Sequence, residues 1–391
     1  MTLRNMDSDK KNTEKKFTLI VEPLLSGHHK TYLINIVKAL QESGRNLLVV
    51  IPEELVELNI DGVCVCKYSF DVFDGAGGLL NLIRREVNMW LALRKIYRKF
   101  SGERNITDVF IPYLDYFLYA VAIFGSPFNG AKFSGITMRP AFHYNRSGVR
   151  APYRKIDMLK EFLFGKLIKS KEVKCIYTID GLLLDYVESN FHVIPGKIRY
   201  LPDPVEYNFN AVSVTKKNEL LTLTVFGAID ERKGILELAD SLRYLNGSIR
   251  LVLAGIIKPE VKSMLDSILK GVKNIQIHEL NRWIGDDEIN EIFDNTDIVW
   301  LGYRDHFTMS GVLIQAGVRG KYVIGCRSGL IGWYVEKYKM GAVLELKPQE
   351  IAAVLNELIV NGVEHSGYDA QIFETHNWQN FKSIILNDGG E

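Results

Sequence analysis

The stretch LTLTVFGAIDERKGILELADSLRY, residues 221–244, decides the fold. Leu221–Phe226 is a short apolar run with β-branched and aromatic side chains, which predicts a strand. Residues 235–244 have the apolar spacing of a helix. Between them, Gly227 and Gly234 allow the backbone to turn tightly and to approach a ligand. A strand, a glycine turn and a helix form the repeating step of a parallel sheet wrapped in helices. Arg232 and Lys233 add positive charge beside a helix N-terminus, where free N–H groups already favour anions. A pyrophosphate is the natural occupant of such a turn, and a solvated basic turn before an ordinary helix is the alternative.

The same alternation extends in both directions. Downstream, strands are predicted at 250–254, 275–278, 298–301 and 322–325, and helices at 260–269, 286–295, 311–319 and 348–361, with a loop between 325 and 348. Upstream, the strand at 17–21 leads through a loop at 23–29 into a helix at 31–42, which Gly44 ends before a strand at 47–51. Further strands are expected at 63–68, 108–111, 133–138, 175–178 and 198–201. Pro202-Asp203-Pro204 stops regular structure, and the polar run 206–219, with Asn208, Asn210, Lys216, Lys217 and Asn218, marks a domain boundary. The expected organisation is a disordered tail at 1–16, an N-terminal Rossmann-like domain at 17–205, a C-terminal Rossmann-like domain at 206–370 and a final segment at 371–391 that crosses back. Two such α/β domains in tandem would face a cleft with the loops at their strand carboxyl ends.

Composition narrows the function classes. The chain has 391 residues, 47% hydrophobic and 24% charged, with a formal net charge of +1. That balance is that of a soluble globular protein of two domains, and it gives no global field for nucleic acid. Cys64, Cys66, Cys175 and Cys326 are too few and too scattered for a metal site or a disulfide scaffold, so reduced cysteines are expected. The tail carries Lys10, Lys11, Lys15 and Lys16 and lacks the apolar stretch of a signal peptide, and no apolar run reaches bilayer length. A cytoplasmic protein is expected.

Two more loops suit anions. In YRDHFTMSGVLIQAGVRG, residues 303–320, Ser310 and Gly311 stand where a helix begins, so the hydroxyl and the backbone N–H can hold phosphate oxygens. The segment 327–332, RSGLIG, is glycine-rich and also follows a strand. Three anion-suited loops in one domain exceed what folding alone requires.

On these residues the C-terminal half resembles the donor domain of the glycosyltransferase family 4 group, which adopts the two-domain GT-B fold. The correspondence runs through the turn at 227–234, the helix and strand at 286–301, Ser310-Gly311, the GLIG run at 329–332 and Trp378. It extends over nearly the whole chain after residue 16 and is most specific between 222 and 345. The resemblance implies a nucleotide-sugar donor held by the second domain, with Gly227, Arg232, Lys233, Arg282, Tyr303, Ser310, Gly311, Gln315, Gly329, Leu330 and Ile331 on the donor side. It also implies retention of anomeric configuration. The cations of the turn, with Asp7 and Asp9 of the tail the only short-spaced acidic pair of metal-binding style, point to a reaction with no metal and no separate cofactor. The chain departs from the family pattern at Ala228, where many members carry Arg, and at Phe307 and Gln315, where many carry a pair of glutamates.

The acceptor side falls to the first domain. Gly27, His28 and His29 follow its first strand, Asp115 follows the strand near Tyr113, Arg139 and His143 follow 133–138, and Asp180 follows 175–178. Gly27, His28 and Arg139 are the acceptor-binding candidates, and His29, Asp115 and His143 the candidate general bases, although a departing phosphate can deprotonate the acceptor itself. Any one of these positions can equally be a helix cap, and Asp180 is the most cap-like. Basic residues interleaved with apolar ones at 84–99 and 146–174 fit either an anionic membrane surface, suiting a lipid-linked acceptor, or a solvated helix face. The expected partners are therefore a nucleotide-sugar, a glycan or lipid-linked acceptor and a possible membrane surface. The reading is a glycosyltransferase of surface polysaccharide synthesis. The alternatives are an inactive sugar-nucleotide-binding partner of another transferase and a nucleotide-sugar epimerase.

Overall fold

The computed structural model describes residues 15–25, 28–53, 60–70, 79–207, 220–363 and 373–387. Its described residues divide into two units. One lies within Met1–His143, Tyr153–Leu201 and Phe381–Glu391, and the other within Tyr144–Pro152 and Pro202–Asn380. Gly27, the tail up to residue 14 and the linker residues 208–219 lie outside the described residues.

The first unit is a seven-stranded parallel sheet with the strand order β3-β2-β1-β4-β5-β6-β7. Its strands are β1 (Lys16–Val21), β2 (Asn46–Pro52), β3 (Cys64–Tyr68), β4 (Asn105–Ile111), β5 (Lys132–Thr137), β6 (Val173–Thr178) and β7 (Ile198–Tyr200). The helices are α1 (His28–Glu42), α2 (Leu79–Ser101), α3 (Leu118–Phe124), α4 (Ile156–Ile168) and α5 (Gly181–Asn190). Central strands read as continuous apolar runs because helices cover both faces, and Leu19, Ile20, Val49, Ile136 and Ile176 are fully buried. The expected loop at 23–29 is shorter than predicted. His28 and His29 already belong to the first turn of α1, which has no acidic residue there to mark its start.

The second unit is a six-stranded parallel sheet ordered β10-β9-β8-β11-β12-β13. It comprises β8 (Leu221–Phe226), α6 (Ile235–Ser241), β9 (Ile249–Ala254), α7 (Pro259–Leu269), β10 (Ile275–Leu280), α8 (Asp286–Asp294) and β11 (Ile298–Leu301). Then follow α9 (Gly311–Val318), β12 (Tyr322–Cys326), α10 (Gly329–Lys337), β13 (Gly341–Leu344) and α11 (Pro348–Asn361). Leu223, Val225, Trp300, Ile324 and Leu355 belong to its core. The loop expected between 325 and 348 is in fact a helix and an edge strand. Two of its glycines, Gly329 and Gly332, suggested a loop, but both are required by contact. A Cβ on Gly332 would lie 2.4 Å from the Cys326 carbonyl oxygen, and one on Gly329 2.5 Å from that of His306. The last helix, α12 (Trp378–Leu386), buries Phe381, whose ring lies 6.4 Å from that of Tyr32 in α1.

Both sheets are doubly wound Rossmann-like folds, and the pair is of the GT-B type. In each, strand order reverses once, between β1 and β4 and between β8 and β11. Loops leaving the carboxyl ends of two such strands diverge and open a crevice.

Candidate functional site

The crevice of the second unit is built on glycine contacts. The Gly227 N–H donates to the Ala254 carbonyl at 2.8 Å. Gly255, at φ +134°, packs so closely that a Cβ would come within 2.0 Å of the Gly227 carbonyl oxygen. Asp230 then caps a short 3-10 turn over Glu231–Lys233, accepting from the Arg232 N–H at 3.0 Å and from Arg232 Nε at 2.9 Å. Gly234 closes the turn at φ +60°, with a Cβ only 2.1 Å from the Gly302 carbonyl oxygen if one were present. The turn after β8 is therefore locked against the loop after β11.

That lock fixes Lys233. Its ammonium donates to the Phe226 carbonyl at 2.7 Å and to the Tyr303 hydroxyl at 2.6 Å. Its backbone carbonyl accepts from the Trp300 indole N–H at 2.7 Å. The Arg304 N–H donates to the Arg232 carbonyl at 2.7 Å, and the Arg304 guanidinium pairs with Glu237. Arg232 itself stays 77% exposed and pairs with the Asp230 carboxylate at 2.8 Å. The result is one ordered cation and one exposed cation at the switch point of the sheet.

His306 completes the cluster. Its ring stands edge-on to Tyr303 with centroids 5.4 Å apart, and Nε2 lies 3.4 Å from the Met309 carbonyl oxygen. Burial, reinforced by the charges of Arg232 and Lys233, holds its pKa below the usual histidine value, so it is neutral at pH 7. Next comes Ser310 in the N-cap position of α9, only 7% exposed, with no side-chain capping bond. Among the described residues neither its hydroxyl nor the Gly311 N–H has a hydrogen-bond partner, and a Cβ on Gly311 would meet nothing within 4 Å. Unsatisfied donors at a helix start, beside a Gly311 whose Cβ position is unfilled, suit an anion.

Three groups expected on the donor side are engaged within the protein. At 329–331 the cradle is already occupied, because the Gly329 N–H donates to the Arg150 carbonyl at 2.8 Å and the Leu330 N–H to the Phe307 carbonyl at 3.0 Å. Leu330 and Ile331 bury their side chains in the core. The carboxamide oxygen of Gln315 accepts from Arg319 Nη1 at 2.5 Å, one helical turn away. Arg282 forks onto Glu288 of α8, with Nη1 at 2.7 Å, and also donates to the Trp283 carbonyl.

In the first unit the switch point brings His29 and Tyr113 together, with ring centroids 4.4 Å apart. His29 Nδ1 lies 3.1 Å from Glu22 Oε1, a carboxylate with no exposed surface whose pKa burial raises well above its usual value. All three predicted bases prove to be buried or bound. His29 is 4% exposed. His143 has no exposed surface, and its Nε2 lies 3.1 Å from Asp180 Oδ2, whose other oxygen caps α5 by accepting from the Leu182 N–H. Asp115 accepts from Thr137 Oγ1 at 2.7 Å and from the Met138 and Arg139 N–H groups at 2.8 and 3.1 Å, with burial raising its pKa. Each of the three braces its loop through these contacts. Arg139 is the accessible residue of the set, its guanidinium 5.6 Å from the Tyr113 ring centroid. His28 is the first residue of α1.

Glu22, Asp230, Gly255 and His306 were not singled out by the sequence. An acid directly after a buried strand, and a histidine in the loop that ends at Ser310, were the available signals. A cavity of about 520 Å³ lies elsewhere, between β9, β10 and α8, lined by Arg250, Gln276, His278 and Glu291. Its walls are strand interiors at a sheet edge, so it belongs to no switch point.

No family profile matches the sequence, and no curated protein sequence does. Solved structures do match along the whole chain. A glycosyltransferase from Rickettsia africae is 15% identical, with 96% of each chain covered and a TM-score of 0.56. Anabaena HepE in complex with UDP and glucose is 12% identical over 95% of this chain and 98% of its own, with a TM-score of 0.60. WaaG, a glycosyltransferase involved in lipopolysaccharide biosynthesis, is 13% identical over 95% and 97%, with a TM-score of 0.56. At such identities the likeness is one of fold.

Proposed function

We propose that this protein is a glycosyltransferase that takes its sugar from a nucleotide-diphosphate donor bound at the β8–β11 switch point. The observation that carries the reading is Lys233, an ammonium ordered between Phe226 and Tyr303 beside an exposed Arg232 and within the loop system that ends in the unpartnered donors of Ser310 and Gly311. Cleaving a sugar–phosphate bond places negative charge on the leaving diphosphate. Lys233, Arg232, the Ser310 hydroxyl and the Gly311 N–H supply the neutralising groups, which supports a metal-independent reaction with no cofactor. The UDP seen with HepE supports a uridine nucleotide as the first donor to try.

On the acceptor side, the burial of His29 and His143 and the three hydrogen bonds that hold Asp115 favour a retaining course in which the departing phosphate oxygen takes the acceptor proton. Arg139 then serves to hold the acceptor. The role of WaaG in lipopolysaccharide synthesis supports a glycan or lipid-linked acceptor of surface polysaccharide assembly.

Thermal shift against UDP-, GDP-, ADP- and dTDP-sugars tests the donor site, since a ligand that binds the folded state raises its stability. One of these series is expected to raise Tm in the wild type, with the rise lost in Lys233→Ala. An equal rise in both proteins would remove the diphosphate from this turn. Binding without any sugar released or transferred would make the protein a sugar-nucleotide-binding partner instead.

A further inference from the structure

The outward face of three consecutive helices in the first unit has no role in the donor reading. β3 to β4, β4 to β5 and β5 to β6 all cross the sheet in one direction, so the right-handed rule puts α2, α3 and α4 on the same side. α3 packs between the other two. The Trp90 indole donates to the Gly125 carbonyl at 2.8 Å, and the Trp90 ring lies 5.8 Å from that of Phe124, which joins α2 to α3.

Each helix turns apolar side chains to solvent. Leu80 is 81% exposed, Phe162 67%, Met158 61% and Phe124 56%. Along α4 the exposed stripe runs Lys155, Leu159, Phe162, Lys166, Lys169, at helical spacing, with its apolar centre between lysines. Along α2, Leu80, Ile83 and Leu91 are followed on the same face by Lys95 and Arg98.

The acids are arranged in the opposite sense. The three helices contain Glu86, Asp157 and Glu161 only, and all three are turned inward or bound. Glu86 accepts from the Tyr119 and Ala120 N–H groups, Asp157 from the Arg154 N–H, and Glu161 from the Tyr186 hydroxyl. On α2, α3 and α4 the outward side chains therefore pair exposed apolar groups with cations and with no carboxylate, and the exposed acids of that side, Asp185 and Glu188, stand on α5. A purely solvated face needs no Phe124 or Phe162, and an apolar protein partner needs no rim of lysines. Apolar groups inserting at the level of acyl chains while lysines and arginines meet headgroup phosphates satisfy both features.

We propose that the α2–α3–α4 face docks the protein on an anionic lipid bilayer. No helix among the described residues is long and apolar enough to cross a membrane, so the contact is interfacial. The inference does not depend on the donor assignment. A protein seated this way presents its first unit to acceptors carried in the same membrane.

Flotation of the whole protein with phosphatidylcholine vesicles, with and without phosphatidylglycerol, tests it. Binding is expected only with phosphatidylglycerol, and to weaken as salt rises. Lys95→Gln with Lys166→Gln should lower affinity about fivefold per cation removed. Ile83→Ser with Phe162→Ser should lower it by tenfold or more, roughly as lost apolar burial requires. These side chains are exposed, so Tm should hold, and any stabilisation by nucleotide-sugar should be unchanged in the same variants. Equal binding to neutral vesicles, unaltered binding in both pairs of variants, or self-association with no vesicle binding would each overturn the proposal.

Discussion

The Lys233 ammonium lies 2.6 Å from the Tyr303 hydroxyl, linking the turn after β8 to the loop after β11 across the reversal in strand order. Neither residue is placed by its own element alone. Lys233 reaches Tyr303 because Gly234 lets the turn pack on the Gly302 carbonyl, and Tyr303 is held by β11, whose Trp300 bonds back to the Lys233 carbonyl.

Lys233→Ala is expected to weaken donor binding by about 10- to 100-fold, the range of a lost charge-assisted contact. Tyr303→Phe keeps the ring under the ammonium and removes one acceptor, so a smaller loss, about threefold, is expected. Calorimetric titration with the nucleotide-sugar that stabilises the wild type reads both. The reverse order of effects would show that Tyr303, not the cation, makes the contact.

Gly255→Ala is expected to destabilise the second unit by about 3 kcal/mol, since its Cβ would sit 2.0 Å from the Gly227 carbonyl oxygen at a positive φ. Because the strain falls on Gly227, donor-induced stabilisation should drop with it. Denaturant unfolding measures the first effect. A change within experimental scatter would mean that the β8 and β9 turns are looser than their packing implies.

His143→Ala should cost about 2 kcal/mol of stability by leaving Asp180 without its buried partner. The folded fraction should nevertheless keep kcat within about threefold of wild type, far short of the 10²–10⁴-fold loss of a removed general base. A hundredfold fall in kcat at full folding would return His143 to the chemistry.

The Glu86 carboxyl is pushed up to about 7, chiefly by burial. Its Oε1 has no hydrogen-bond partner among the described residues, which leaves room for the proton. Between the usual 4.5 and about 7 the folded chain keeps a proton that the unfolded chain has released. Stability therefore falls as pH rises through that window and levels off above it. Glu86→Gln keeps an acceptor for the Tyr119 and Ala120 N–H groups and cannot ionise, so it should flatten this part of the profile. It should also raise stability above pH 7 by about 2–3 kcal/mol. Parallel pH profiles of urea unfolding decide the matter.

The α/β pattern was legible because it rests on local periodicity. β8, β9, β11 and β12 lie where their apolar runs put them, and Asp180 caps α5 as its position after a strand predicts. The turn at 227–234 was legible for the same reason, since its glycines and cations are neighbours in the chain. Segment 326–347 was misread because glycines that serve close packing look in sequence like glycines that serve a loop. Asp115 and His143 stood out as polar residues at strand ends, but only the fold shows their partners, Thr137 and Asp180.

The amino-acid order by itself determined two doubly wound sheets and where their carboxyl-end loops begin, because strand and helix periods are written within a few residues. Which loop groups remain open to a ligand was decided only in three dimensions. Lys233 and Tyr303 are 70 residues apart. Arg150 and Phe307 cover the amides of Gly329 and Leu330, while Ser310 and Gly311 are left uncovered. Hydrogen-bond donors are available only where no distant part of the chain has already satisfied them, and that is a property of packing.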